Sequence, residues 1–297
     1  MIRILTMAAL AACIAASAAC QREQAAAAGA QTQPAATDQA APAPAPDTPR
    51  EAEAIGGEAV ATFLAARYGQ DASLTGDWTS APLETALREP GDAGGNVTRS
   101  VCAREHVSID GRPAVLMAVC GTPDDAGHPT PGITDFWLLR QQAGVLGAAA
   151  QAHLARYGSM GNAGDVDVER FGAHLYGFTV ESSFYNMGQG VDTRTLLLPR
   201  GTAFVEAGWM RAGMDSGEKM DDCSARGDCP ADGYAIDFDL DIDDSDPQAP
   251  AYPLVVRESG IACRKPARGE YRLRLDTATM TYAVPKALQR DTGCTAP

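Results

Sequence analysis

The sequence has little positive charge. Its 297 residues include 24 lysines and arginines against 38 aspartates and glutamates, which gives a formal net charge of −14. Only three of the cationic residues are lysines, namely Lys219, Lys265 and Lys286. A strongly acidic chain is repelled by phosphate backbones and by anionic lipid surfaces. We therefore expect neither nucleic acid nor an anionic membrane surface as a partner of the folded part.

The sequence also lacks the motifs that identify common enzyme classes. It contains no His-Glu-x-x-His zinc motif, no Gly-x-Ser-x-Gly nucleophile turn, no phosphate-binding glycine loop and no dinucleotide fingerprint. The four histidines are scattered, and no two stand at metal-ligand spacing on a helix. These absences favour a non-enzymatic protein. An exported hydrolase, whose catalytic residues are dispersed along the chain, remains the alternative.

Long hydrophobic runs are missing as well. The apolar stretch 4–16 is too short to span a membrane, Arg3 precedes it, and small residues lead from it into Cys20. The segment Ser17-Ala18-Ala19-Cys20 resembles the signal peptides of bacterial lipoproteins, in which the cysteine is lipidated and becomes the new N-terminus. The resemblance implies cleavage after residue 19 and a lipid on Cys20. Gln21 at the next position implies the outer membrane.

Two other interpretations of the N-terminus remain open. The segment Leu10-Ala11-Ala12-Cys13 also fits the lipoprotein pattern but leaves a shorter apolar core, and an ordinary cleaved secretory signal would carry no lipid. In each case the rest of the chain is exported into an oxidising compartment. We expect a cell-envelope protein, attached to the membrane through its N-terminal lipid and facing the periplasm.

Composition divides the rest of the chain into three parts. Residues 20–49 are rich in alanine and proline and lack large apolar residues, so they are predicted to form an unstructured tether. Residues 50–95 are predicted to form a short helical segment: Thr48-Pro49 marks the start of one helix, Gly69 its end, and 81–89 a second helix. Residues 96–297 are predicted to form a disulfide-stapled β domain.

Turn signals between alternating apolar residues indicate a succession of β-hairpins from residue 96 onward. They predict a mainly β fold, an antiparallel hairpin-built sandwich, barrel or propeller-like domain with a short helical N-terminal part. Residues 148–157 are compatible with either a strand or a short helix. The predicted strand pairs are 101–107 with 113–120, 135–140 with 145–146, 166–171 with 175–181, 193–198 with 202–207, the stretch beginning at 234 with 253–257, and 271–275 with 280–284.

Six cysteines lie beyond the N-terminal region, and in an exported protein they are expected to form disulfides. We predict that neighbours pair. Residues counted outward from the turn at 109–112 place Cys102 opposite Cys120, Cys223 and Cys229 close a small loop, and Cys263 and Cys294 remain.

One stretch, 234–246, carries an unusual charge pattern. Apolar residues alternate with Asp237, Asp239, Asp241 and Asp243, which is the period of a half-buried strand with one face made of carboxylates. Such a face needs compensation, because like charges on one strand face repel each other.

Three explanations of this acidic face remain open. Arg272 and Arg274 on the alternating stretch 271–275, or the intervening Arg257, can neutralise it. A cation, for which calcium is the candidate, can be held at the end of the strand by the three aspartates of the following turn, which are Asp243, Asp244 and Asp246. The acidic face can instead bind a basic envelope protein. The last explanation predicts a binding or inhibitory module, and the second predicts a calcium-stabilised structural module.

Overall fold

A computed structural model of the chain describes residues 55–80, 95–217, 220, 223 and 228–294. Several predictions concern residues outside these ranges. They are the signal peptide with Cys13 and Cys20, the tether 20–49, the helix start at Thr48-Pro49 and the helix 81–89.

The described residues are mainly β, as predicted, and form a large mixed sheet that curls into a half-barrel, with one short α-helix on its N-terminal side. The strands are β1 (Trp78–Ser80), β2 (Val97–Ile109), β3 (Arg112–Pro123), β4 (Gly132–Gln142), β5 (Val145–Tyr157), β6 (Asp165–Arg170), β7 (Tyr176–Asn186), β8 (Gln189–Arg200), β9 (Ala203–Asp215), β10 (Tyr234–Ile242), β11 (Leu254–Ala262), β12 (Lys265–Pro266), β13 (Gly269–Leu273), β14 (Leu275–Asp276) and β15 (Thr281–Tyr282).

The sheet consists of antiparallel runs joined at β9. Strands β1 to β5 pair in chain order, β6 to β9 pair in chain order, and β10 pairs with β11, which also carries β12 and β13. One edge of β9 is paired with β8 along its length. Its other edge is joined to β5 by a single parallel pair, Gln151 with Ala203, and to β10 by three antiparallel pairs. Strand β9 therefore holds the half-barrel together.

The helix α1 (Gly57–Tyr68) begins later than Thr48-Pro49 suggests. Gly56 is the N-cap residue and is extended, with φ −69° and ψ 150°, so the described helix starts at the glycine pair. Two neighbouring glycines favour the unfolded backbone and weaken helix continuation. The C-terminal end agrees with the prediction, because Gly69 follows Tyr68 with φ 103°.

Most predicted hairpins are present, and two details differ. Residues 148–157 belong to the long strand β5, so the helical alternative for this stretch is wrong. The last predicted hairpin is reduced to the two-residue strands β14 and β15, because most of 271–275 is used by β13 to pair with β11. Pairing with a central strand buries more apolar surface than an isolated hairpin does.

The three larger of the four apolar clusters in the described residues form the core, and the fourth is a small one around Cys223 and Cys229. The helix α1 packs through Val60 and Leu64 on one face of β3 and β4, where Trp137 lies. The opposite face of these strands packs on β7 and β8, with Phe136 against Phe178. The far side of β8 and β9 is covered by β10 and β11.

Three disulfides connect the predicted partners. Cys102 is bonded to Cys120, Cys223 to Cys229, and Cys263 to Cys294, at sequence separations of 18, 6 and 31 residues. The expected register of the first pair needs one correction. Ser100 lies opposite Cys120, and Cys102 occupies a β-bulge between Val101 and Ala103. The Cα atoms of Cys102 and Cys120 are nevertheless 5.6 Å apart, which suits a disulfide.

Among the described residues, no helix has both the length and the apolar character required to cross a bilayer.

Candidate functional site

Strand β10 has the two faces that the alternation predicts. Ile236 and Phe238 are buried in the core, with 2% and 1% of their surface exposed, whereas Asp237, Asp239 and Asp241 are exposed. The acidic face is therefore a real surface of the half-barrel.

The C-terminal half of this face is compensated by arginines. Arg257 of β11 forms an ion pair with Asp241 at 3.0 Å, and Arg272 of β13 forms one with Asp243. The pKa of the Asp243 carboxyl is lowered by hydrogen bonds from Ser245 and then from Arg272. Arg272 pairs with Asp243, just beyond the end of β10, and not with Asp237, Asp239 or Asp241.

The predicted cation site is not assembled. Asp243 pairs with Arg272, and Asp246 accepts a hydrogen bond from the backbone N–H of Gln248 at 3.1 Å. Across the ranges that the structure describes, Asp244 included, no group of three histidine, cysteine, aspartate or glutamate residues is placed to hold a metal ion. The carboxylates of Asp243 and Asp246 stabilise the turn after β10.

The N-terminal half of the acidic face belongs to a larger structure. A row of directly paired residues crosses β7 to β11 and consists of Ser183, Asp192, Gly213, Asp237 and Ser259. Paired residues of neighbouring strands point to the same face of a sheet. Since Gly213 has no side chain, the row has a gap between two carboxylates, and a Cβ atom there would lie 2.8 Å from an oxygen of Asp192.

This row lines a cavity of about 410 Å³ on the surface of the sheet. We call it the acidic cleft and define it by its carboxylates, which are Asp165, Glu181, Asp192, Asp237 and Asp239. Its cationic side chain is Arg194, whose Nε donates to Glu181 at 2.7 Å and whose NH1 donates to the carbonyl of Phe238 at 3.1 Å. The other four carboxylates form no ion pair with any described residue.

Negative charge continues from the cleft along β6. Burial raises the pKa of Glu169, and the negative charges of Asp167 and Glu105 raise it further. The alternation of acidic and valine residues at 165–169 repeats the pattern of β10 and was a signal available in the sequence. The contributions of Glu181 and Asp192 depend on long-range register, which no local pattern reveals.

Exposed apolar side chains occur at the end of the β7–β8 hairpin and on the connection between β5 and β6. Phe184, Tyr185 and Met187 lie at the end of the β7–β8 hairpin, with 40%, 54% and 95% of their surface exposed, and Met160 of the β5–β6 connection is 65% exposed. We call these four residues the apolar tip. His128 connects the two parts of the apolar tip. The His128 ring lies 5.7 Å from the Phe184 ring, and the His128 carbonyl accepts the N–H of Met160.

A second cavity, of about 290 Å³, lies between the apolar tip and the acidic cleft. We call it the socket. Two glycine-rich segments of the chain, 157–161 and 186–190, take different positions here. The one at 186–190 does turn between β7 and β8, but 157–161 begins the connection between β5 and β6, which do not pair. The latter segment forms a wall of the socket. Six of the residues that line the socket are His128, Met160, Asp165, Glu181, Ser183 and Tyr185.

A buried polar network lies on the opposite side of the half-barrel. Asp135 accepts hydrogen bonds from Tyr68 at 2.8 Å, from Arg99 at 3.1 Å and from the N–H of Leu154 at 2.8 Å. A β-bulge places His153 and Leu154 opposite Asp135, and Leu154 takes a φ of 55° there. The network fastens α1 and β2 to the centre of the sheet.

The network shifts the pKa values of its members in opposite directions. Burial by itself raises the pKa of Asp135, but the neighbouring His153 imidazole, the charge of Arg99 and the Leu154 N–H together lower it below its usual value. Burial and the negative Asp135 raise the pKa of Tyr68 far above its usual value. Asp135 is therefore a buried carboxylate ion and Tyr68 a neutral donor.

In the described residues, neither the His153–Asp135 pair nor the socket, where His128 lines one cavity with Asp165 and Glu181, has the geometry of a hydrolytic site. His153 Nδ1 lies 3.6 Å from Asp135, whose side chain is only 3% exposed and already accepts three other donors. In the socket, Ser159 donates to the carbonyl of Ser183. No hydrogen bond links a described serine to a described histidine.

In comparisons with known proteins, no family model matches this chain, and no curated protein or solved structure is significantly similar to it.

Proposed function

We propose that this protein is a non-enzymatic binding module of the cell envelope that captures a cationic protein through the acidic cleft. The observation that carries the proposal is the set of carboxylates without a cation, Asp165, Asp192, Asp237 and Asp239, gathered on one cavity by three different strands. Inhibition of the captured protein would follow if the cleft covered its working surface.

The balance of charge supports a cationic partner. Asp192 and Asp237 lie on either side of Gly213, on strands that β9 separates, and no side chain of β9 stands between them, so folding holds two like charges on one face of the sheet. Like charges held on one surface repel each other and act against the folded state. A basic partner removes this repulsion, and its approach is accelerated by the electrostatic field of the cleft.

The surroundings of the cleft support a protein as the partner. Exposed aromatic and methionine side chains are enriched in the centres of protein interfaces, and two of the apolar tip, Met160 and Tyr185, line the socket together with Asp165 and Glu181. Small inorganic cations need convergent oxygen ligands, and no such group of three exists among the described residues.

The proposed location follows from the N-terminal sequence. We propose that lipidation of Cys20 holds the protein at the membrane and that residues 20–49 let the half-barrel reach its partner. The three disulfides suit the oxidising periplasm that this location implies.

Affinity capture with the immobilised full chain tests the proposal. We expect a basic envelope protein to bind at about 50 mM salt and to be released at about 500 mM, because salt screens exposed charges. Combined replacement of Asp192, Asp237 and Asp239 by asparagine should abolish capture.

A matched variant controls for net charge. Replacement of the exposed Asp71, Asp124 and Asp232 by asparagine changes the charge equally but leaves the cleft intact, so this variant should capture the same partner. If both triple variants capture equally well, the acidic cleft is not the binding surface.

A further inference from the structure

We propose that the socket binds one arginine side chain of the partner. This inference rests on the proposed function, since it specifies which group of a cationic protein is read at the edge of the acidic cleft. The socket has a carboxylate end and an apolar end, which matches a side chain with a charged head and an apolar stem.

The carboxylate end is formed by two neighbouring strands. Asp165 of β6 and Glu181 of β7 are directly paired and point to the same face. Arg194 Nε already donates to Glu181 at 2.7 Å, and the Arg194 side chain is only 11% exposed. The charge of Glu181 is therefore neutralised by a largely buried arginine. Asp165 is exposed and has no cation among the described residues. The socket therefore offers one unneutralised carboxylate beside a neutralised one.

The apolar end is formed by large hydrophobic side chains that are exposed to water. Met160 and Tyr185 line the socket and are 65% and 54% exposed. The stem of an inserted side chain would cover part of both. A guanidinium can also stack on the face of the Tyr185 ring, which adds a cation–π attraction.

The volume and the chemistry together favour arginine over lysine. A cavity of about 290 Å³ has room for one long side chain and not for a folded segment. Arginine presents a planar set of donors that fits carboxylates in two-point contacts and stacks on aromatic rings, whereas lysine acts as a point charge. Arg194 of the neighbouring acidic cleft already directs Nε and Nη2 at one oxygen, Oε1, of Glu181.

Three peptides of one design test the proposal by titration calorimetry with the full chain. They are acetyl-Gly-Ser-X-Ser-Gly-amide with arginine, lysine or citrulline at X. Citrulline has nearly the shape of arginine but carries no charge. We expect the arginine peptide to bind more tightly than the lysine peptide and the citrulline peptide not to bind. Asp165→Asn should lower the affinity for the arginine peptide about tenfold, and Tyr185→Ala should lower it about threefold. Asp71→Asn should leave this affinity unchanged.

The outcomes separate this inference from the proposed function. No binding of the arginine peptide, equal affinity for the lysine or citrulline peptide, or an unchanged affinity in Asp165→Asn would overturn the socket as an arginine site. The proposed function would still stand if the cleft triple variant lost its basic partner. Conversely, selective binding of the arginine peptide, with no salt-sensitive capture of any basic protein, would support the socket and refute the function.

Discussion

At the scale of single residues, Asp135 is a buried carboxylate that forms an ion pair with a buried arginine. Its side chain is 3% exposed, and it neutralises Arg99, whose side chain is 6% exposed. Removal of one partner of a buried pair leaves the other as an uncompensated charge, which costs more than the pair itself contributes.

We therefore predict that Asp135→Asn lowers the free energy of unfolding at pH 7 by about 3 to 5 kcal/mol. Urea denaturation followed by circular dichroism measures the change. The exposed Asp71→Asn serves as control and should change stability by less than about 0.5 kcal/mol. A loss below about 1 kcal/mol in Asp135→Asn would show that Arg99 finds another partner or solvent.

The pH dependence has a definite sign. The pKa of Asp135 is lower in the folded protein than in the unfolded chain, so its contribution is complete above the unfolded value of about 3.9. The contribution is lost as the pH falls from there through the folded pKa. Wild type should thus lose stability below about pH 4 more steeply than Asp135→Asn does.

At the scale of elements, the connection between β5 and β6 determines the shape of the socket. Gly164 has a φ of 79°, and a Cβ atom at this position would collide with the carbonyl oxygen of Glu181 on β7. Only glycine allows the connection to lie this close to β7 in this backbone conformation.

Gly164→Ala should accordingly lower the free energy of unfolding more than an ordinary glycine substitution does. Gly201→Ala is the control, because Gly201 also has a positive φ, 62°, but has open space where the Cβ would stand. The backbone conformation alone should lower the free energy of unfolding of the control by about 1 to 2 kcal/mol. In Gly164→Ala the collision should lower the free energy of unfolding by about 1 to 3 kcal/mol more. Equal losses in urea denaturation would mean that the connection moves away from β7 without cost.

Local sequence signals predicted the elements better than the way they are joined. The turn at 109–112 and the alternation in β10 are visible because a single hairpin or strand produces them. Strand β5 was ambiguous, because its alanines suit a helix as well as a strand, and pairing with β4 decides between them. The β5–β9 and β9–β10 junctions join residues far apart in sequence, so no local pattern specifies them.

The same limit applies to the site. Asp237 and Asp239 were recognised as part of an acidic face because they alternate with core residues on one strand. Asp192 joins them only through the register of β8, β9 and β10. The disulfide partners were predictable because the three pairs connect cysteines that are neighbours in sequence.

At the scale of the whole molecule, the acidic charge acts against the folded state. The chain has a net charge of −14, and folding brings its negative charges closer together. In the acidic cleft, carboxylates of four strands lie on one cavity. Self-repulsion of this kind lowers stability at low ionic strength.

We predict that the melting temperature rises by a few degrees when sodium chloride increases from about 20 mM to about 300 mM, because the Debye length shortens. The rise should be smaller in the variant that lacks Asp192, Asp237 and Asp239. The variant of Asp71, Asp124 and Asp232 has the same net charge and shows how much of the difference is local to the cleft. A melting temperature that falls with salt would mean that the arginine pairs outweigh the repulsion.

The row across β7 to β11 also restricts the sequence of a partner. Asp192 and Asp237 lie on strands separated only by β9, so roughly 10 Å divides them at the usual spacing of strands in a sheet. A helix that lies along the row repeats this distance about every seven residues, which is close to two turns. Under the proposed function, a helical partner that lies along this row is therefore expected to carry two basic residues seven positions apart.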